Sequence, residues 1–336
     1  VFTALNTLHA TDGAYIHLKA KTIVEKPIQL VHVLTGENTI AITRNVIVSE
    51  RFSEAEIVQV FLTENAIESF ANNVTEIFVE ENATLSFDKL QNETEGNFHI
   101  STEHVKQAAH SNFKINTITL NGGLVRNDLF IDVVGENVET HLNGTYVLKG
   151  NQHVDNHTTV DHLKPNCESN ELYKGVIDGK ATAVFNGKVF VRKDAQKINA
   201  FQSNGNVLLS DDATINSKPE LEIYADDVAC GHGATAGDLN APTLALAEAL
   251  LTGRSMKADE GLAWGFFDLD RRAVEQGAGG QALQREAQRA HVHARQLSGF
   301  EPQFQQARKT FAPRRVFHQL QHAAGQAPDG AAVADH

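Results

Sequence analysis

Apolar residues in the first 240 positions come in short runs broken every few residues by Asn, Asp, Glu or Lys. Asn45-Val46-Ile47-Val48, Glu76-Ile77-Phe78-Val79, Asp128-Leu129-Phe130-Ile131, Lys188-Val189-Phe190-Val191 and Asn206-Val207-Leu208-Leu209 are β-branched or aromatic and end at turn-forming residues. Runs of this length and composition predict strands, because branched and aromatic side chains fit a pleated, half-buried surface. Several are followed by an acidic or amide residue, a small one, and a new strand: Glu81-Asn82-Ala83-Thr84, Glu136-Asn137-Val138-Glu139, Lys193-Asp194-Ala195-Gln196 and Asp211-Asp212-Ala213-Thr214. The last two are 18 residues apart. Asn and Asp tolerate a left-handed backbone, so this pattern suits a coil that turns a corner and lays a strand on the previous rung. An antiparallel sandwich uses the same turn residues, and periodicity alone leaves both open.

The character changes near residue 240. Residues 1–240 hold 14 Lys and 4 Arg against 32 acids, whereas 241–336 hold 2 Lys and 9 Arg against 10 acids, with no Asn, Ile or Tyr. The tail predicts helix at Thr243–Leu251 and at Gln281–Gln296, with little periodicity after Phe300. The expected division is a β core over 1–240, a helical tail over 241–298 and a disordered segment over 299–336. The chain begins at Val1, with no charged start or apolar leader, and reads as a fragment of a longer one.

Charge and cysteine content narrow the chemistry. A net charge of −13 repels phosphates, so no nucleic-acid partner is expected. No stretch reaches the roughly 18 apolar residues of a membrane-spanning helix, and no membrane partner is expected. Cys167 and Cys230 are too sparse for a disulfide framework, which places the chain in a reducing, cytoplasmic compartment. Five Asn-x-Thr triplets, at Asn73, Asn82, Asn92, Asn143 and Asn156, are expected by chance where Asn turns meet Thr-bearing strands. Phosphate-loop, nucleophile-elbow and dinucleotide signatures are absent, so no nucleotide is expected to bind this chain.

The most chemically loaded segment is Asp226-Asp227-Val228-Ala229-Cys230-Gly231-His232-Gly233-Ala234. If it continues a strand, Val228, Cys230 and His232 share one face. A thiolate suits iron–sulfur clusters and an imidazole suits iron, but two ligands do not complete a site, so another chain would have to finish it. The bland reading is a buried thiol beside a hydrogen-bonded histidine. A second group is His141, His153, His157 and His162 with intervening Asp residues. Alternation puts His153 and His157 on one strand face and His162 on the other, which favours a polar surface ladder over a divalent-metal site.

Residues 1–240 resemble the SufB/SufD family, SufD more than SufB. The stretches that carry the resemblance include Phe2-Thr3-Ala4-Leu5-Asn6-Thr7, Arg44-Asn45-Val46-Ile47-Val48, Asp161-His162-Leu163-Lys164-Pro165-Asn166-Cys167, Tyr173-Lys174-Gly175-Val176-Ile177-Asp178-Gly179 and Lys218-Pro219-Glu220-Leu221-Glu222-Ile223-Tyr224. The resemblance implies an all-β core, a right-handed parallel β-helix, normally preceded by a helical region and followed by a helical domain. It implies a non-catalytic scaffold for iron–sulfur cluster assembly that pairs with a SufB-like subunit through the β-helix. The ATPase is then the SufC partner, docked through C-terminal helices. By this resemblance His232 matches the histidine near the SufB/SufD interface that helps hold a transient cluster shared with SufB, as iron ligand, and Cys230 matches its neighbour. The motif here is Cys-Gly-His-Gly where many members have Cys-Ser-His-Gly. After Leu239 the family's usual helix is missing, and Leu250–Gly265 is similar instead to a helical stretch of enoyl-CoA hydratases, so the resemblance does not carry SufC docking onto this tail. The alternative from the residues alone is a stand-alone β-helical protein that binds or cleaves polysaccharide, which would need carboxylates aligned in an open groove.

Overall fold

The structure is a computed structural model and describes residues 1–238; the tail segments expected at 241–298 and 299–336 lie outside the described residues. One helix, α1 (Phe2–His9), precedes sixteen strands. Eight form sheet A: β1 (Tyr15–Leu18), β3 (Ile40–Ser49), β5 (Ser69–Val79), β7 (Asn97–Gln107), β9 (Leu124–Val133), β11 (His153–His162), β13 (Thr182–Val191) and β15 (Thr214–Ile223). The alternate eight form sheet B: β2 (Ile28–Glu37), β4 (Glu54–Ile67), β6 (Thr84–Asn92), β8 (Asn112–Asn121), β10 (Glu139–Leu148), β12 (Glu168–Ile177), β14 (Ile198–Leu208) and β16 (Val228–Asp238). Every strand pairs in parallel with the strand two places on in the chain. The chain therefore climbs a parallel β-helix whose coil contributes one strand to each sheet, and the β-helical alternative wins over the sandwich.

The coil is longer than the sequence spacing suggested. Phe98 pairs with Leu124 and Thr182 with Thr214, so one turn takes 26 to 32 residues. The two similar corners 18 residues apart in the sequence are the opposite corners of a single coil, between β13 and β14 and between β14 and β15. Both corners use the same short polar residues because both must reverse the chain within a few positions.

At the corner leading from sheet A to sheet B, one residue per coil has a left-handed backbone: Asn82 (φ 58°), His110 (φ 59°), Asn137 (φ 56°) and Asn166 (φ 60°). Asn is favoured there because its short polar side chain tolerates this conformation. Their N–H groups donate to the carbonyls of Ala109, Glu136, Pro165 and Gln196 on the following coil, so the corner is hydrogen-bonded rung to rung. The next residue turns inward each time, as Ala83, Ser111, Val138 and Cys167, all fully buried. Cys167 is thus a core side chain, with its thiol pushed up by burial.

The bore between the sheets is packed by Leu85, Phe87, Phe113, Ile115, Ile131, Val160 and Phe185. Tyr146 and Tyr173 enter it from neighbouring coils, and each ring lies over a glycine of the adjacent strand, Gly175 and Gly144 respectively, where any Cβ would collide. Much of the remaining polar interior is internally bonded. Asn45 Nδ2 donates to Asn73 Oδ1 at 3.0 Å, and Lys89 Nζ contacts Asn127 Oδ1 at 3.0 Å. Low dielectric makes such networks rigid only when their members are satisfied. Asn73 and Asn156 belong to this interior, so two of the five Asn-x-Thr triplets are inaccessible.

Helix α1 had no counterpart in the strand pattern. Asn6 holds it on sheet A by donating Nδ2 to the carbonyls of Thr43 (2.8 Å) and Asn72 (3.0 Å), and Asn72 Nδ2 returns a bond to Phe2 O at 2.9 Å. These long-range bonds, not helix propensity, fix its place.

Candidate functional site

Among the described residues, β15 and β16 are the last strands of their sheets, so each leaves one row of backbone groups without a strand partner. In β16, Cys230 pairs in register with Ala200 and His232 with Gln202. Ala200 and Gln202 are buried inside the bore. Register partners in a parallel sheet point to the same face, so Cys230 and His232 project across the end of the bore. Val228 and Cys230 pack on the hydrophobic core, whereas His232 is exposed. Glycines at 231, 233 and 237 occupy the outward positions of this strand, where Gly233 and Gly237 have open space around them. On sheet A the inward positions of β15 are Ile215, Ser217 and Leu221, half-buried, and Pro219, which has no N–H to offer an added strand.

The two candidate ligands are not equivalent. Burial pushes the Cys230 thiol up, only partly offset by a backbone hydrogen bond at Ala200, so it is a protonated thiol near neutrality. A thiol must lose its proton to bind a metal, and a nearby cation would have to drive that loss. His232 offers an imidazole nitrogen, a ligand type that suits iron.

Two rungs below His232, beneath Gln202, lies a buried carboxyl. Glu171 Oε1 accepts from Thr158 Oγ1 at 2.5 Å and its Oε2 accepts from Gln202 Nε2 at 2.9 Å. Burial pushes Glu171 up to about 7, against the pull of those two hydrogen bonds. Gln202 Oε1 is buried without a hydrogen-bond partner among the described residues. Neither Glu171 nor Gln202 stood out in the sequence; the available signal was a pair of polar residues at inward positions of strands.

The other histidines do not assemble. His153 and His157 lie on the outer face of sheet A, His162 is buried inside, and His141 belongs to sheet B. His157 Nε2 is spent on Asp155 at 2.8 Å, and Asp155 also receives Arg126. His162 Nε2 contacts Ser169 Oγ at 2.9 Å, and burial pulls its pKa down to about 4. Among the described residues no group of three or more His, Cys, Asp or Glu side chains is arranged to hold a metal ion. The carboxylates on the outer face of sheet A are matched with bases: Glu76 with Arg44, Asp161 with Arg192, Glu220 and Glu222 with Lys188. Such pairing leaves those carboxylates poorly placed for the polysaccharide chemistry considered above. None of the helices among the described residues is long and apolar enough to cross a membrane.

Two parallel sheets wound around one filled bore, with a Cys-Gly-His-Gly segment on the last of the described strands, define the class as a β-solenoid protein. Residues 32–244 match the family described as SUF system FeS cluster assembly, SufBD core domain, and the chain belongs to that family. It is 34% identical over 251 residues to an iron–sulfur cluster assembly SufBD family protein of Synechocystis, covering 72% of this chain and 55% of that protein. It is 30% identical over 244 residues to the iron–sulfur cluster assembly protein SufD of Escherichia coli, covering 71% and 58%. The SufD of Bacillus subtilis is 28% identical over 245 residues, covering 70% and 54%. The chain spans a little over half the length of these relatives.

Proposed function

We propose that this chain is the core of a SufD-like, non-catalytic scaffold subunit that takes part in cytosolic iron–sulfur cluster assembly. In this reading it joins a SufB-like subunit through the end of the β-helix, and the ATPase is a separate SufC-like partner. The observation that carries the proposal is the position of Cys230 and His232 on β16, which among the described residues is the end strand of its sheet, facing the end of the bore with His232 exposed. Two donors cannot saturate iron or a cluster, which usually takes four protein ligands. A second subunit laid against this end would supply the rest and would also cover the free backbone edge, a liability that proteins commonly blunt or pair. The cluster is cargo: His232 offers a nitrogen donor, and Cys230 adds a thiolate once a cation displaces its proton.

The test is co-expression with SufB-like and SufC-like partners, followed by anaerobic measurement of bound iron and sulfide. His232→Ala is expected to lower cluster yield severalfold while the complex still forms, and His153→Ala on the outer face is expected to leave it unchanged. An undiminished yield in His232→Ala would remove the site.

A further inference from the structure

Three inward positions of sheet B stack in one column: Glu171 of β12 pairs with Gln202 of β14, which pairs with His232 of β16. Farther down the same column the residues are Leu142, Ile115, Phe87 and Ile57, all apolar. The polar run is confined to the last three coils and ends at the exposed imidazole. Within it Thr158 of the facing strand β11 anchors Glu171, and Glu171 anchors the Gln202 amide through Nε2. That anchor makes Gln202 Oε1 the free end of the amide, and Oε1 has no partner among the described residues although Gln202 is only 4% exposed.

The space for this arrangement is built in. At Gly187, on the facing strand β13, an added Cβ would lie 3.0 Å from both Gln202 Nε2 and Glu171 Oε2. It would also lie 2.7 Å from the ring of Phe185. A side chain at 187 would therefore press on the one hydrogen bond that orients the amide.

We propose that Gln202 is the positioning residue for His232: its Oε1 accepts a ring N–H of His232, and Glu171 fixes the amide so that the acceptor faces the last coil. Adjacent strands lie about 4.8 Å apart, so the His232 ring and the Gln202 amide are register neighbours on one face of sheet B. An imidazole that gives one N–H to a carbonyl is held in one tautomer, and its other nitrogen then presents a lone pair outward. This deepens the scaffold reading, since it says how the donor atom of His232 is prepared; the hydrogen bond itself stands or falls separately.

The test uses the full chain labelled with ¹⁵N-histidine, at mildly alkaline pH, with the His232 ring signals assigned by their loss in His232→Gln. The parent chain is expected to show well-separated protonated and unprotonated ring nitrogens for His232, the mark of one tautomer. Gln202→Leu, and Gln202→Asn as a polar variant that withdraws the acceptor by one methylene, are expected to draw the two signals toward the averaged position. Glu171→Leu should do the same, whereas Glu171→Gln, which can still accept from the amide, should preserve the separation. Signals at the averaged position in the parent chain, or unmoved by the folded Gln202 variants, would overturn the proposal. Cluster yield in His232→Ala reports on the scaffold reading alone, so the two claims fail by different measurements.

Discussion

Lys89 Nζ of sheet B lies 2.6 Å from Glu103 Oε2 of sheet A, with both side chains 1% exposed. Ser101 Oγ donates to Glu103 Oε1 at 2.5 Å, so the pair is enclosed by further hydrogen bonds. Removing one member leaves a buried charge without its partner, which costs about 3–5 kcal/mol, while replacing both by apolar groups is often neutral. Lys89→Met is therefore expected to lower unfolding stability by that amount, and Lys89→Met with Glu103→Leu to regain most of it. Urea unfolding followed by circular dichroism measures this; losses that simply add would show that the ions do not act as a pair.

The Glu171 carboxyl gives stability a pH dependence of definite sign. Its folded value of about 7 lies above the ordinary 4.5, so the folded state holds the proton more tightly. The contribution is favourable below pH 4.5 and is lost as pH rises to 7, an effect of about 3 kcal/mol. Glu171→Gln removes this contribution. The unfolding midpoint of this variant should rise relative to the parent as pH is raised through that window, and a constant difference would contradict the raised value.

Histidine 162 acts in the opposite direction. Burial sets its folded value at about 4 against 6.5, so protonation favours the unfolded chain, and stability is lost as pH falls from 6.5 toward 4, again by about 3 kcal/mol. Between 4.5 and 6.5 the two groups oppose each other. The parent chain should accordingly show a shallower profile there than either His162→Gln or Glu171→Gln, and parallel profiles for all three would refute the assignment.

The left-handed corner at Asn82 is a test of the rung-to-rung ladder. With φ at 58°, a β-branched side chain meets the following carbonyl, at a cost of about 1–2 kcal/mol, and a glycine does not. Asn82→Val should lower the unfolding midpoint clearly more than Asn82→Gly. Equal losses would mean that backbone conformation is not what selects Asn at this corner.

Much of the architecture was legible because strand alternation is a local property. It separated His153 and His157 from His162, and it put Cys230 and His232 on one face, as the strands β11 and β16 show. The length of the coil was not legible. Corners on opposite sides use the same short polar residues, and only the hydrogen bonds from Asn82 to Ala109 and from Asn166 to Gln196 show which corner stacks on which. Helix α1 was missed because its anchor, Asn6, bonds to carbonyls 37 and 66 positions away.

The amino-acid order alone determined that this chain would form many short strands with tight polar turns, and which side chains within each strand would share a face, since both follow from backbone sterics over a few residues. Only the wound structure decided that Glu171, Gln202 and His232 form one column and that, among the described residues, the column ends at the last strand of sheet B. Those residues are some thirty positions apart in the chain, and their contact depends on how many residues each coil consumes, a sum over every corner below them that no local pattern encodes.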